Sequence, residues 1–100
     1  MRKFKSSGLK TASEASHANP VVLGGCLLLT DGANDATLVL YDNASAASGD
    51  VVAKLAIAGS DLTGGITFPF EVATANGLYA ELTGVGANFI LYTMPHHIPA

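Results

Sequence analysis

Apolar residues recur along most of this chain in short runs, and the runs carry no consistently polar side. Between residues 36 and 59, "ATLVLYDNASAASGDVVAKLAIAG", two such runs flank a connector of small and polar residues. A half-buried strand alternates apolar with polar positions. Here Val39 and Tyr41 fall on one side of an extended chain, and Leu38 and Leu40 fall on the other. If one side packs a core, something must cover the second.

The same pattern predicts six strands, over residues 21–29, 37–41, 51–58, 66–73, 78–83 and 88–93. The first is weakened or bulged at Gly24-Gly25. Turn chemistry separates them: "TDGAND", "DNASAASGD", "GSDLTGG", "TANG" and "GVGAN" supply the Gly, Asn, Asp and Ser that turns favour. The fourth strand is the most regular. Ile66, Phe68, Phe70 and Val72 share one side, while Pro69, which has no N–H to donate, marks an edge or a bulge. Short strands at this spacing imply an all-β domain, a single small β-sandwich or jelly-roll-like unit over residues 19–94. Residues 1–18 lack apolar periodicity and read as an extended arm. Residues 95–100, "PHHIPA", read as a tail.

The expected inward set is Leu27, Leu29, Leu38, Leu40, Val51, Leu55, Ile57, Ile66, Phe68, Phe70, Val72, Leu78, Leu82, Phe89 and Leu91. The apolar residues left over are Val39, Tyr41, Val52, Tyr79, Ile90 and Tyr92. Tyrosine, with an apolar body and a polar tip, is enriched at interfaces. Monomers seldom expose a large contiguous apolar patch. These six are therefore the expected interface of a homo-oligomer. The competing reading is a monomer in which both sides of some strands are internal.

Composition narrows the class. One hundred residues make one domain, 49% of them apolar and 13% charged, which excludes a disordered chain. A lone cysteine, Cys26, excludes an internal disulfide. The charge is divided: four bases and one acid precede residue 19, and one base and seven acids follow it. The arm's Arg2, Lys3, Lys5 and Lys10, with Phe4 and Leu9 as apolar anchors, form a candidate partner-binding segment, mobile until it meets its partner. The acidic body and the absence of interleaved bases and aromatics argue against nucleic acid. The longest apolar run, 21–29, is too short to span a membrane. "LGGC" and "SHA" mimic processing sites but lack the apolar stretch such sites need. An unprocessed chain made in a reducing cytosol is expected.

Catalytic chemistry is sparse. Adjacent His96 and His97 point to opposite sides of an extended chain, and neither they nor His17 has a ligand cluster nearby in sequence. Cys26 sits in an apolar run, as an inert core thiol does. "DGAND" gathers Asp31, Asn34 and Asp35 without the spacing of a calcium loop. "NAS" at Asn43 fits a glycosylation sequon. The Gly pairs do not form a phosphate loop, and "GVGAN" lacks the third glycine of a dinucleotide motif. No cofactor, no metal and no enzyme activity are expected.

"ATLVLYDNASAASG", "FPFEV", "ANGLYAEL" and "GANFILY", within residues 24–92, resemble a class of small structural proteins of tailed-bacteriophage virions, of jelly-roll or sandwich type. The arm lies outside the resemblance. What the resemblance implies is a non-enzymatic virion protein. The first expectation is a capsid cement or decoration protein, a homotrimer, that binds the major capsid protein on the outer surface of the head. The alternatives are a head-fibre, neck or tail-tip module bound to another virion protein, or a receptor- or carbohydrate-binding β-sandwich. Virion location follows, with no membrane partner.

Overall fold

The computed structural model describes residues 4–61 and 63–95, with the side chains of 65–70 left aside. These residues form eight strands and no helix: β1 (Lys5–Ser6), β2 (Glu14–His17), β3 (Val21–Leu29), β4 (Ala36–Tyr41), β5 (Val51–Ile57), β6 (Thr63–Ala73), β7 (Leu78–Thr83) and β8 (Asn88–Pro95). They make two antiparallel four-stranded sheets, in the orders β1-β8-β3-β6 and β2-β7-β4-β5. A chain doubled back at its midpoint sets each strand beside its counterpart from the other end. All four such pairs occur: β1 with β8, β2 with β7, β3 with β6, and β4 with β5. Successive pairs alternate between the sheets, and β3–β8 and β4–β7 pairing completes each one.

The buried sides of the two sheets meet in one cluster. Leu23, Cys26, Leu28, Phe89 and Leu91 come from one sheet, and Leu38, Leu40, Leu78 and Ala80 from the other. Leu55, Ile57 and Leu82 pack against it. Each fully buried Leu or Phe contributes about 1.5–3 kcal/mol. The expected inward placement of Leu38, Leu40, Leu78, Phe89 and Leu91 holds. Val72 is half-buried and stands opposite Leu23. The expected inward side chains Ile66, Phe68 and Phe70 lie outside the described residues.

Three expected inward residues, Leu27, Leu29 and Val51, are corrected, at two bulges. In β3, Leu23 pairs with Thr93 and Gly25 with Tyr92, so Gly24 is an extra residue. Beyond it, Cys26 and Leu28 stand opposite Leu91 and Phe89 and point inward, while Leu27 and Leu29 are half-buried on the outer side. Three consecutive leucines carry no polar marker of their own parity, and β8 sets it. In β5, Tyr41 pairs with Val51 and Leu40 with Ala53, leaving Val52 as the extra residue. Val52 packs against the core, and Val51, 56% exposed, faces out.

The boundary expected at residue 18 is not where paired structure begins. β1 pairs with β8, and Lys10 exchanges backbone hydrogen bonds with Phe89 at 2.9 Å. β2 pairs with β7, and the Leu82 N–H donates to Ser13 Oγ at 2.8 Å. The Phe4 ring lies over Gly24, where an added Cβ would come within 2.8 Å of it. An edge strand needs only its backbone ladder on one side, so a polar segment can form one without apolar periodicity. Arg2 and Lys3 lie outside the described residues, as does the expected tail beyond Pro95, which ends β8.

The turns use the chemistry expected of them. Asp31 Oδ1 accepts from the N–H groups of Ala33 and Asn34 at 2.9 and 2.8 Å. Asn43 Oδ1 accepts from those of Ser45 and Ala46 at 2.9 and 3.0 Å. Asp42 accepts from the N–H groups of Ala75 and Asn76, which ties the 42–50 loop to the β6–β7 turn. β6 lies at a sheet edge, as Pro69 requires. It carries extra residues between Thr67 and Val72, the partners of Gly25 and Leu23.

Leu28→Ala should cost about 2–5 kcal/mol, as core Leu deletions do. Leu27→Ala, one residue away on the outer side, should cost nearer about 1 kcal/mol. Urea denaturation of both variants measures the parity of β3, and the reverse ranking would invert it. Deleting residues 1–18 removes β1 and β2 and should lower the thermal midpoint; an unchanged midpoint would restore the free-arm reading.

Candidate functional site: the outer faces of the two sheets

The six residues expected to share an interface divide among three places. Val39 and Tyr41 on β4 and Tyr79 on β7 share the outer face of the β2-β7-β4-β5 sheet. Their parity follows from β4 and β7, where buried Leu38, Leu40, Leu78 and Ala80 alternate with half-buried neighbours. Ile90 and Tyr92 lie on the outer face of the other sheet, and Val52 packs toward the core. The single Tyr41/Tyr79/Tyr92 surface expected from the sequence is therefore corrected: Tyr92 belongs to the opposite side of the molecule.

The first outer face is built in rows. Tyr79, Tyr41 and Val51 stand side by side across β7, β4 and β5. Glu81, Val39 and Lys54 form the next row, and Thr83, Thr37 and Ala56 the third. The Tyr41 hydroxyl donates to Glu81 Oε1 at 3.3 Å. Burial, the Glu81 charge and this bond all hold the phenol above its ordinary pKa. Glu81, Lys54 and Val51 were absent from the expected set. The signal for Glu81 and Lys54 was present: each sits at the alternate position within an apolar run, where an outer face is polar.

The second outer face places Tyr92 between Ser6 and Gly25, Leu27 between Ile90 and Gly65, and Leu29 between Asn88 and Thr63. Tyr92 is 37% exposed, and Leu27, Leu29 and Ile90 are half-buried. Phe4 extends this apolar surface over Gly24.

The residues expected to reach a partner lie mostly along the sheets. Lys5 is in β1, Lys10 bridges Phe89 and pairs with Glu14 at 3.6 Å, and Leu9 is 57% exposed. A cleft of about 560 Å³ opens between β1, β2 and the end of β8, lined by Lys5, Ser16, His17, Asn19 and Thr93 among others. His17 spans it. Its Nδ1 lies 3.0 Å from Ser16 Oγ and its Nε2 lies 3.3 Å from Thr93 Oγ1, so the ring joins a strand of one sheet to a strand of the other. Burial lowers the His17 pKa below its ordinary value; Glu14 pulls it up and Lys10 pushes it down.

The remaining chemical candidates are not brought together. Cys26 lies in the core cluster, where burial raises its thiol pKa to about 11 and keeps it protonated. His96 and His97 lie outside the described residues. Asp31 spends its carboxylate on Ala33 and Asn34, and Asp35 Oδ1 accepts from the Gly59 N–H at 2.8 Å. Among the described residues no three His, Cys, Asp or Glu side chains form a metal-binding group, and no helix is long and apolar enough to cross a membrane. Comparison with known proteins finds no matching family model, no matching curated protein and no matching solved structure.

His17 carries a pH dependence whose sign follows from its environment. Its folded pKa lies below the unfolded value of about 6.5, so folding favours the neutral ring. The stabilisation is present above that unfolded value and is lost as pH falls through the folded one. Stability should therefore drop as pH falls below about 6.5, and His17→Gln should flatten that limb of the curve. Urea midpoints at each pH measure it; parallel curves for the two proteins would remove His17 from the account.

Proposed function

We propose that this chain is a virion structural protein of a tailed bacteriophage, without enzymatic activity, and that it acts as a capsid cement or decoration protein of jelly-roll type. The observation that carries the reading is the strand order. A chain doubled at its midpoint, with successive pairs alternating between two sheets, is the arrangement expected of an eight-stranded jelly roll, an architecture recurrent in viral capsid and lectin domains. Fold alone does not name a function. Support also comes from the resemblance over residues 24–92 and from two outer faces that both carry apolar side chains, as a protein held between neighbours requires.

The partner in this reading is the major capsid protein, contacted on the outer surface of the head. The apolar face of β8 and β3, with Tyr92, Ile90, Leu27 and Leu29, is the surface offered to it. A receptor- or carbohydrate-binding sandwich is the second reading, favoured by the neighbouring Tyr41 and Tyr79 rings. Quantitative mass spectrometry of purified virions separates the cases. A cement protein is present in hundreds of copies per particle. A copy number matching a ring at the neck or tail moves the protein there, and absence from the particle overturns the virion reading.

A further inference from the structure

We propose that the outer face of the β2-β7-β4-β5 sheet docks a second copy of this chain, face to face, about a two-fold axis lying along β4. The inference stands on that face alone and holds wherever the protein works.

The argument begins with the row Glu81–Val39–Lys54. Val39 on β4 pairs with Glu81 on β7 on one side and with Lys54 on β5 on the other, so an acid and a base flank β4 in one register. Directly opposed residues in an antiparallel ladder share a face. Lys54 is exposed and makes no ion pair among the described residues. Among the described residues Glu81 accepts only the long hydroxyl contact from Tyr41.

A two-fold axis along β4 keeps each row in place and exchanges its two ends. Val39 then meets Val39 of the second copy, and Tyr41 meets Tyr41. Glu81 of each copy meets Lys54 of the other, twice over by symmetry. In the neighbouring row Tyr79 lies over Val51, the most exposed valine of the sheet, at 56%. The same operation thus satisfies both charges and covers the apolar residues. Packed sheets lie about 10 Å apart, a gap that facing Glu and Lys side chains span. A surface that meets itself is isologous and closes at two copies, so the inference is a dimer in place of the three-fold assembly expected from the sequence.

The test uses charge reversal in the full chain. Sedimentation equilibrium of the wild type should give a mass near twice the 10.2 kDa of one chain. E81K and K54E should each set like charges against each other at both contacts and weaken association at least about tenfold, with circular dichroism unchanged. Two outcomes then identify the axis. The double variant E81K/K54E should recover the dimer. An equimolar mixture of the two single variants should form a heterodimer, since every facing pair is again opposite in charge. A monomeric or trimeric wild type overturns the proposal, as does a mixture of single variants that stays monomeric. If the wild type is monomeric and E81K loses attachment to purified capsids, the face belongs to another virion protein and self-docking is wrong.

Discussion

The opposition of β3 and β8 fixes which side of these two long strands faces the core. Phe89 stands across from Leu28 and Leu91 across from Cys26, and all four are buried. Side chains alternate along a strand, so these two pairs dictate that Leu27, Leu29, Ile90 and Tyr92 face the other way. The opposing sheet answers with Leu38, Leu40, Leu78 and Ala80. A single extra residue can reverse such a pattern, and the chain places one at Gly24. There the bulge lets Leu23 and Cys26 both point inward with two residues between them. The absence of a side chain at Gly24 makes room for the Phe4 ring. An alanine there would have to displace that ring, and with it the stretch that leads into β1.

The second bulge works on the other sheet. At Val52 the ladder between β4 and β5 slips, which sends Val52 toward the core and Val51 outward beside Tyr41. Both bulges therefore act on the outer faces as much as on the core. They decide which of two adjacent apolar residues is offered to solvent. Bulges commonly re-aim a side chain in this way, and here the re-aimed side chain completes a row with the two tyrosines.

The sequence made the six strands between residues 21 and 95 legible, because their apolar runs are separated by Asp, Asn and Gly turns whose side chains form the expected hydrogen bonds. It also made the shared face of Val39, Tyr41 and Tyr79 legible, because Leu38, Leu40, Leu78 and Ala80 alternate with them. Three features were hidden. β1 and β2 are polar edge strands, held by backbone pairing that leaves no periodic trace in side-chain type. The parity of "CLLL" and of "VV" was ambiguous because adjacent apolar residues look alike from either side. The separation of Tyr92 from Tyr41 and Tyr79 is a matter of topology: β8 pairs with β3 and β1, a long-range choice that no local window contains.

The two outer faces differ in a way that bears on assembly. One presents an acid and a base on either side of β4, with tyrosines and a valine beside them. The other presents Leu27, Leu29, Ile90, Tyr92 and Phe4, with no charged residue in the rows those leucines, Ile90 and Tyr92 occupy. A charge pair that a two-fold axis exchanges favours self-recognition and penalises other partners through unpaired charge. An uncharged apolar surface has no such discrimination and gains most from burial against a complementary apolar partner. Two copies joined through the first face would carry the second face on opposite sides, pointing apart. Such a pair is bivalent, and its two attachments reinforce each other wherever the spacing of the sites allows both to engage.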